Sequence, residues 1–445
     1  MLIEFSVKNF GPIKDTQTLS MIASSDTELE DYYVYEMGNL RLLKMAVLYG
    51  PNASGKTTVL KALDFLRNLV LKPTLQKSDK LDFTPFLFDE KSQHEPSLIR
   101  LIFLQEGVKY DYEISFTQNY VLSEKLFYYP KGRQSEFFTR ITDTKNEVSS
   151  TNWGSKVKIS HRDKIILEGN TLWNEPVLAA FNKSNIQSEE LQQVHLWFTF
   201  YLITMINPNT KLGAFAEKIQ ETSAQSKLLM SEFINKADIQ INNFEIIKEE
   251  KELNSEERNF LNRVEVVPIL KQGNIISEGE KLPISIDKKT DKYLFFNHSI
   301  KSKDGQKNEF FLPWYQESQG TIKYYGLSAV LTNLIINKNL NTIDEIETSI
   351  HPDLMKHFIL TFLANAKQSQ LILTTHNLSF LEEKDILRKD AIWFTQKRED
   401  GSTELYSLAD FDSSVFRKNA SIINAYKIGK LGAKPNLGSI FIQAE

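Results

Sequence analysis

Eight consecutive residues carry the most specific chemical signal in this sequence. Residues 50–57, GPNASGKT, have the spacing G-x-x-x-x-G-K-T of a phosphate-binding loop. The apolar run 45–49 before them predicts a buried strand, and the apolar spacing of residues 58–66 after them predicts a helix. Backbone amides at such a helix start point toward negative charge. The predicted phosphate contacts are Gly50, Asn52, Ala53, Ser54, Gly55, Lys56, Thr57 and Thr58.

Two side chains of this loop have separate tasks in phosphate chemistry. Lys56 would reach the β- and γ-phosphates of a nucleoside triphosphate, and Thr57 would place its hydroxyl on Mg²⁺. The alternative is a chance glycine-rich turn. The strand–loop–helix context, with every fixed position of the motif present, argues against that alternative. We therefore predict ATP and Mg²⁺ as ligands.

Two acids and a histidine follow strand-like segments far along the chain. Asp344 and Glu345 end the segment 340–343, where Asp344 would hold the hydrated metal ion and Glu345 would orient or deprotonate a water molecule. His376 follows an apolar run at the end of a strand, where open α/β sheets place their ligands. We predict that His376 hydrogen-bonds the γ-phosphate, and that Lys56, Glu345 and His376 are catalytic.

Ser318 and Gly320 precede a helical segment and would form a second anion site at its start. Each of these later motifs also has an ordinary explanation when taken alone. An acid pair can be a solvated strand end, a histidine after a strand is often structural, and a serine before a helix is usually an N-cap. The order of phosphate loop, Ser-x-Gly, acid pair and histidine favours one site.

The remaining sequence predicts the elements that hold these residues. Segments 97–104 and 110–116 alternate apolar and polar residues around Gly107, which predicts a hairpin that 121–129 extends. Helical patterns are predicted over 189–205 and 214–234. Strands are predicted at 1–7, 244–247 and 309–312, and the polar stretches 248–258, 286–292 and 301–308 predict loops. No glutamine between Lys56 and Ser318 follows a convincing strand.

Composition is that of a chain with ample core and no extreme charge. The 445 residues include 53 basic and 57 acidic side chains, for a net charge of −4, and no cysteine. The absence of cysteine excludes disulfides and thiolate metal sites. The longest apolar stretch, 196–206, is shorter than the about 20 residues that span a bilayer, and its pattern fits a buried helix or a buried strand. The beginning of the chain lacks a signal-peptide pattern. These features predict a cytoplasmic protein without membrane contact.

Two further patterns concern nucleic acid. Basic residues recur in two groups, which are Lys156, Lys158 and Arg162, and Lys427, Lys430 and Lys434. They allow contact with nucleic-acid phosphates, but neighbouring acids offset them and such contact is not favoured. Asp410 and Asp412 form a D-x-D pair without a matching upstream acid, so we favour a turn over a nuclease site.

The order of these motifs resembles the ABC-type ATPase head that SMC proteins and OLD-family ATPases share. More closely, it resembles the ATPases of phage-defence and abortive-infection operons called RloA-like or AbiLi-like. The resemblance covers most of the chain and is carried by 5–13 (FSVKNFGPI), the phosphate loop, 317–321 (ESQGT), 344–352 (DEIETSIHP), 374–377 (TTHN), 393–394 (WF) and 426–433 (YKIGKLGA).

This resemblance implies an α/β fold, namely an ABC-type P-loop ATPase head. Such a head has a mixed core sheet and an antiparallel β subdomain, and here it carries a compact helical insertion. The implied domains are 1–174, with the phosphate loop and antiparallel sheet, the helical insertion 175–240, and 241–445, with the later motifs. Ser318 and Gly320 would contact nucleotide bound to another subunit. Residues 349–351 correspond to the D-loop, with His351 in place of the usual aspartate.

The resemblance also implies a function and partners. The protein would bind and hydrolyse ATP as a homodimer or higher homo-oligomer. It would thereby switch a separately encoded nuclease or toxin in antiviral defence. One alternative is a DNA-repair or SMC-like clamp whose heads bind nucleic acid. Another is an ATP-dependent scaffold with little turnover, against which Glu345 argues.

Overall fold

The computed structural model describes residues 1–72, 76–237, 241–252, 288–301, 306–383, 385–411 and 421–434. Its strands are β1 Leu2–Lys8, β2 Gln17–Ser20, β3 Val34–Met37, β4 Leu40–Leu43, β5 Met45–Tyr49, β6 Ser97–Gln105, β7 Val108–Phe116, β8 Val121–Tyr128, β9 Ser135–Asp143, β10 Val148–Trp153, β11 Ile241–Glu252, β12 Lys288–Lys301, β13 Lys307–Pro313, β14 Leu340–Ile343, β15 Gln370–Thr374, β16 Ile392–Lys397 and β17 Thr403–Ser407. Its α-helices are Glu30–Tyr33, Lys56–Leu71, Glu90–His94, His161–Asn170, Val177–Asn182, Glu189–Leu196, Gly213–Thr222, Ala224–Asn235, Gln319–Ile336, Pro352–Asn365 and Ile422–Lys427.

The described residues form two compact units. The first contains residues 1–212 and 329–445, and the second contains residues 213–328. The predicted domains 1–174, 175–240 and 241–445 have other boundaries, and that division stays a prediction.

The sheet that carries the predicted site is mixed. Its strands follow the order β14-β15-β5-β16-β17, and the pairs β14–β15, β15–β5 and β5–β16 are parallel. Every residue of β5, β14 and β15 is buried, which explains their mostly apolar sequences, since helices cover both faces of parallel sheets. Ile343 pairs with Leu373, and Leu373 with Val47. This register brings the residues that follow the three strands to one edge.

A larger antiparallel sheet completes the first unit. Its order is β10-β9-β8-β7-β6-β1-β2, and its strands alternate buried and exposed residues, as expected where one face is covered. The buried side chain of Gln370, at the start of β15, joins it to the core sheet. Gln370 Oε1 accepts from Leu2 N at 2.6 Å, and Nε2 donates to the carbonyl oxygens of Leu2 and Leu43, each at 3.0 Å.

The second unit is built differently. Helices Gly213–Thr222 and Ala224–Asn235 accompany the antiparallel sheet β11-β12-β13. Aromatic rings form its core: Phe233 stacks on Tyr324 with ring centroids 4.8 Å apart, and Phe244 meets Tyr325 at 4.9 Å. Strand β13 is mainly exposed. Large side chains at least half exposed on it and just after it are Phe310, Phe311, Trp314 and Tyr315.

The predicted α/β class, with a mixed core sheet and an antiparallel sheet, is confirmed. The hairpin of β6 and β7, its extension by β8, and the strands at 2–7, 244–247, 309–312 and 340–343 are also confirmed. The predicted helix 214–234 is two helices that Ser223 separates, because its side chain caps the second by accepting from Ser226 N at 3.1 Å.

Two predictions about secondary structure are wrong. The predicted helix 189–205 ends earlier, because Glu189–Leu196 passes into a π-helical turn, Trp197–Tyr201, and the chain then extends beside β14. The predicted loops are strands at 248–252, 288–292, 301 and 307–308, since β11, β12 and β13 pair along a long polar ribbon. Residues 253–258, 286–287 and 302–305 of those predictions lie outside the described residues. Within the described part of the chain, no helix is long and apolar enough to cross a membrane.

Candidate functional site

The phosphate loop joins β5 to helix Lys56–Leu71, as predicted. Its backbone enters the left-handed region at Ala53 (φ 60°) and at Gly55 (φ 104°), which immediately precedes the helix. Gly50 and Gly55 are also required by space. A Cβ on Gly50 would lie 2.4 Å from Thr395 Oγ1, and one on Gly55 would lie 2.3 Å from Thr403 Oγ1. The glycines therefore allow the loop to contact β16 and β17.

Two threonines hold the phosphate loop in place, and no sequence pattern pointed to either of them. The hydroxyls of Ser54 and Thr395 lie 2.5 Å apart, and Thr403 Oγ1 donates to the carbonyl oxygen of Ser54 at 2.9 Å. Ser54 is 1% exposed. Its side chain therefore positions the loop, and its backbone amide donates to the carbonyl oxygen of Pro51 at 3.3 Å, so its predicted phosphate contact stays a prediction.

Lys56 lies at the base of the loop and is 5% exposed. Its Nζ donates to the carbonyl oxygens of Gly50 at 2.8 Å and Pro51 at 3.0 Å. Burial lowers the pKa of Lys56 to about 8, although the carboxylates of Asp344, Glu345 and Glu347 raise it. An ammonium group that is partly desolvated interacts more strongly with phosphate than one in bulk water.

Asp344 is the point where three elements of the site meet. Thr57 Oγ1 lies 3.0 Å from both of its carboxylate oxygens, and Thr374 Oγ1 donates to Oδ1 at 2.6 Å. Asp344 is 4% exposed. Hydroxyl and carboxylate oxygens are the ligands that Mg²⁺ prefers, so the predicted metal residues Thr57 and Asp344 fit that ion.

Glu345 and His376 face each other at the same sheet edge. Glu345 has a left-handed backbone (φ 47°), and its amide donates to Thr374 Oγ1 at 2.8 Å. His376 Nε2 lies 3.7 Å from Glu345 Oε1, while the backbone amide of His376 donates to Glu347 Oε1 at 2.5 Å. Burial, and then the charge of Lys56, lower the pKa of His376. The imidazole is therefore neutral at neutral pH.

Most of the predicted site lines one cavity of about 550 Å³. The residues that line it include the loop from Asn52 to Thr58, Glu345 and His376. Its other wall is a segment that the sequence did not single out, residues 84–88, with Phe88 70% exposed. Asn9 anchors this segment, because its Oδ1 accepts from Phe86 N at 2.9 Å. An exposed ring in a polar cavity is a surface on which a nucleotide base can stack.

The extended segment after the π-helical turn adds one more residue at this edge. Ile206 N donates to Thr342 O, and Asp344 N donates to Ile206 O, both at 2.9 Å. Residues 202–206 therefore lie parallel to β14, and Asn207 follows them next to the start of the acid pair. The helical pattern over 189–205 concealed this position, and nothing in the local sequence marked Asn207.

Ser318 and Gly320 belong to the second unit. Ser318 is exposed, and its Oγ accepts from Thr321 N at 3.0 Å, which makes it the N-cap of helix Gln319–Ile336. Glu317, just before it, pairs with His298 at 2.5 Å. Gly320 lies in the first turn of that helix. The predicted contact of this motif with nucleotide on another subunit stays a prediction.

Two other singled-out residues have capping roles in the first unit. His351 caps helix Pro352–Asn365, since its Nδ1 accepts from Asp353 N at 3.3 Å. Asp410 accepts from Ser407 N at 2.8 Å within a capping box, as expected for a turn. Asp412 lies outside the described residues.

In comparisons with known proteins, no curated protein matches the chain significantly, but several solved structures are similar to it. The SMC head domain from Thermotoga maritima is similar at 10% identity and a TM-score of 0.38, over 91% of this chain and 98% of its own. An SmcHead bound to the C-winged helix domain of ScpA has 12% identity and a TM-score of 0.43, over 91% and 97%. An Smc head domain with an extended coiled coil, bound to the C-terminal domain of ScpA derived from Pyrococcus furiosus, has 11% identity and a TM-score of 0.38, over 97% and 99%.

A protein-family match extends over both halves of the site. It covers residues 45–175, which include the phosphate loop and the loop 84–88, and residues 203–382, which include Asn207, Asp344, Glu345 and His376. With well over half of its residues matched, the chain belongs to the family described as "AAA domain, putative AbiEii toxin, Type IV TA system".

Proposed function

We propose that this protein binds ATP with Mg²⁺ in the cavity beside the phosphate loop and hydrolyses it to ADP and phosphate. The observation that carries the proposal is the set of hydrogen bonds around Asp344. Thr57 from the phosphate loop and Thr374 from β15 both bond its carboxylate. Membership of an AAA family supports the same function.

The roles of the residues follow from their surroundings. Mg²⁺ held by Thr57 and Asp344 would neutralise charge on the phosphates. Lys56, protonated at neutral pH, would contact the β- and γ-phosphates with the loop amides. Glu345 would orient a water molecule and accept its proton, while neutral His376 would hydrogen-bond the γ-phosphate. Asn207 would contact the same water or the metal's hydration shell.

The wall at residues 84–88 would receive the adenine base. Phe88 offers an exposed ring, and Lys397 Nζ lies 5.7 Å from its centroid. Gly401 leaves room for this ring, because a Cβ there would lie 2.7 Å from Phe88 Cδ2. Base–aromatic stacking is worth ~1–3 kcal/mol per base in other nucleotide complexes.

The wider function is proposed from the sequence resemblance. Two copies would assemble on ATP, with Ser318 and Gly320 of one copy contacting nucleotide on the other, as a homodimer or part of a higher oligomer. The resulting conformational change would switch a separately encoded nuclease or toxin in the cytoplasm, in an RloA-like or AbiLi-like defence system.

Measurement of phosphate release tests the enzymatic part. Lys56→Ala should lose ATP binding, because the phosphate charge is no longer neutralised, whereas Lys61→Ala on the exposed face of the same helix should not. Glu345→Gln should bind ATP but turn it over at least ~10²-fold more slowly, as expected for loss of a general base. Glu382→Gln, at an exposed position outside the cavity lining, is the control. Wild-type turnover by Glu345→Gln would refute the assignment of the base.

A further inference from the structure

A second cavity, of about 1030 Å³, lies beside residues 50–52 at the start of the phosphate loop. It shares Asn52, His376 and Lys397 with the nucleotide cavity. Its far wall is the segment from Tyr426 to Lys434. That segment contains one of the sequence patterns singled out above, and the proposed ATPase chemistry does not use it.

Hydrogen-bond donors dominate this cavity. Three lysines line it, Lys397, Lys427 and Lys434, and no aspartate or glutamate is among the described residues that do so. Tyr49, a residue that is 0% exposed, also lines it, and its hydroxyl has no hydrogen-bond partner among the described residues. Burial raises the pKa of Tyr49 well above its usual value, so the hydroxyl remains a donor. A buried donor without a partner is costly unless something accepts its hydrogen bond.

The far wall is held firmly against the core sheet. Gln396 Oε1 accepts from Ala433 N at 3.1 Å, and Tyr406 OH donates to Leu431 O at 2.7 Å. Gly432 makes this approach possible. It has φ +64°, and a Cβ there would lie 2.3 Å from Gln396 Oε1. Lys434 Nζ donates to Lys427 O at 2.8 Å, which places two of the lysines on one ordered turn.

We propose that this cavity, which adjoins the ATP site and shares residues with it, is a second anion site that binds the phosphate group of a nucleotide. Its lysines supply donors, and no carboxylate is among its described lining residues. Lysine binds phosphate as a point charge, and the volume suits a ligand of nucleotide size. The phosphate can come from a free nucleotide or from the end of a nucleic-acid strand.

The test uses the full chain carrying Lys56→Ala, so that the phosphate loop does not compete for the probe. Inorganic pyrophosphate is titrated by calorimetry at near-physiological salt, since salt screens isolated surface lysines. Lys427→Ala combined with Lys434→Ala should weaken binding ~10-fold or more, as expected for lost charge-assisted hydrogen bonds. Lys430→Ala is the matched control, because Lys430 is exposed on the same segment but does not line the cavity.

A 5′-phosphorylated single-stranded RNA of about 12 nucleotides, followed by fluorescence anisotropy, separates the two sources of phosphate, because strand binding carries a strong salt dependence. Competition between this RNA and pyrophosphate identifies a strand end, and pyrophosphate binding alone identifies a free nucleotide. The inference is overturned if pyrophosphate does not bind at millimolar concentration. It is equally overturned if Lys430→Ala weakens binding as much as the double variant, with thermal melts confirming that all variants are folded. Because ATP turnover does not enter, failure here leaves the proposed ATPase untouched.

Discussion

The core sheet of the first unit buries its polar side chains, whereas the region around β13 in the second unit exposes polar and aromatic side chains. At the core sheet, Asp344, Thr374 and Ser54 are buried, and each has hydrogen-bond partners within the same unit. In the second unit, Ser318 is exposed, and aromatic side chains on and beside β13 are at least half exposed. Buried polar groups with fixed partners hold a constellation in one geometry.

This difference indicates where each kind of function resides. The core sheet can position the phosphate loop, acids and histidine without help from another molecule. An exposed row of aromatic side chains is typical of a surface that meets a partner. We therefore expect substitutions in the core to change the chemistry or stability of a single chain. Substitutions around Ser318 should change what chains do together.

The largest effect is expected from the second unit. Ser318→Arg should abolish hydrolysis but leave ATP binding by the single chain intact, because the proposed contact is made to another copy. Mixing it with Lys56→Ala should restore turnover at about one composite site per dimer. Ser223→Arg is the control, since Ser223 caps a helix in the same unit in the same way. Absence of complementation between two folded variants would contradict the assembly.

A core substitution should destabilise the chain itself. Thr374→Val keeps the shape but removes the hydroxyl that serves Asp344 Oδ1 and Glu345 N. Leaving buried polar groups without partners costs ~1–3 kcal/mol, so the free energy of unfolding should fall by that amount and turnover should fall too. Thr222→Val, whose hydroxyl bonds a helix carbonyl in the second unit, should cost little. Equal effects in chemical denaturation would remove the contrast between the units.

The lowered pKa of Lys56 predicts that nucleotide affinity falls about tenfold for each pH unit above that pKa. Above its pKa of about 8 the side chain is neutral, so the affinity for a non-hydrolysable ATP analogue should fall as pH rises through that value. The stability of the unliganded protein changes with pH in the opposite direction. The unfolded chain holds more protons at Lys56 between its folded pKa and 10.5, so the unliganded protein gains stability from this group as pH rises across that window.

Calorimetry at several pH values tests the affinity, and thermal melts without ligand test the stability. Constant analogue affinity up to about pH 9.5 would mean that Lys56 is less desolvated than its burial indicates.

The smallest expected effect is a difference in stability between substitutions at two glycines in the far wall of the second cavity. Gly429 and Gly432 both have positive φ, but a Cβ on Gly429 would meet nothing within 4 Å, whereas one on Gly432 would meet Gln396 and Tyr406. Gly429→Ala should cost ~1 kcal/mol for the left-handed backbone alone. Gly432→Ala should cost ~1–3 kcal/mol more because the neighbours must move. Equal losses of unfolding free energy in denaturant titrations would mean that Gln396 and Tyr406 move aside at little cost.

The parts of the site that could be predicted from sequence are those that local patterns encode. The phosphate loop lies between a strand and a helix that adjoin it in the chain, and Asp344 and His376 each end their own apolar strand. Thr395, Thr403, Phe88 and Asn207 could not be selected in this way. They reach the site through tertiary packing from distant segments, and their own sequence neighbourhoods are unremarkable for chemistry.

Two errors in secondary structure have a physical cause as well. Residues 197–206 are almost continuously apolar, and that pattern fits a buried strand as well as a helix, so periodicity alone could not locate the π-helical turn. In β11 and β12, core-facing apolar residues such as Phe244 and Phe296 occupy only a short part of each strand, and the rest of both sequences is mainly polar. Their pairing, and not their composition, makes them strands.

The central position of β5 has a consequence for synthesis of the chain. β5 has β15 on one side and β16 on the other, and Thr403 must be present to bond the loop at Ser54. The phosphate loop is therefore synthesised early, but the residues that surround it are complete only after Thr403 has left the ribosome. A nascent or prematurely terminated chain carries the nucleotide motif without a formed pocket, so abortive products should not compete with the finished protein for ATP.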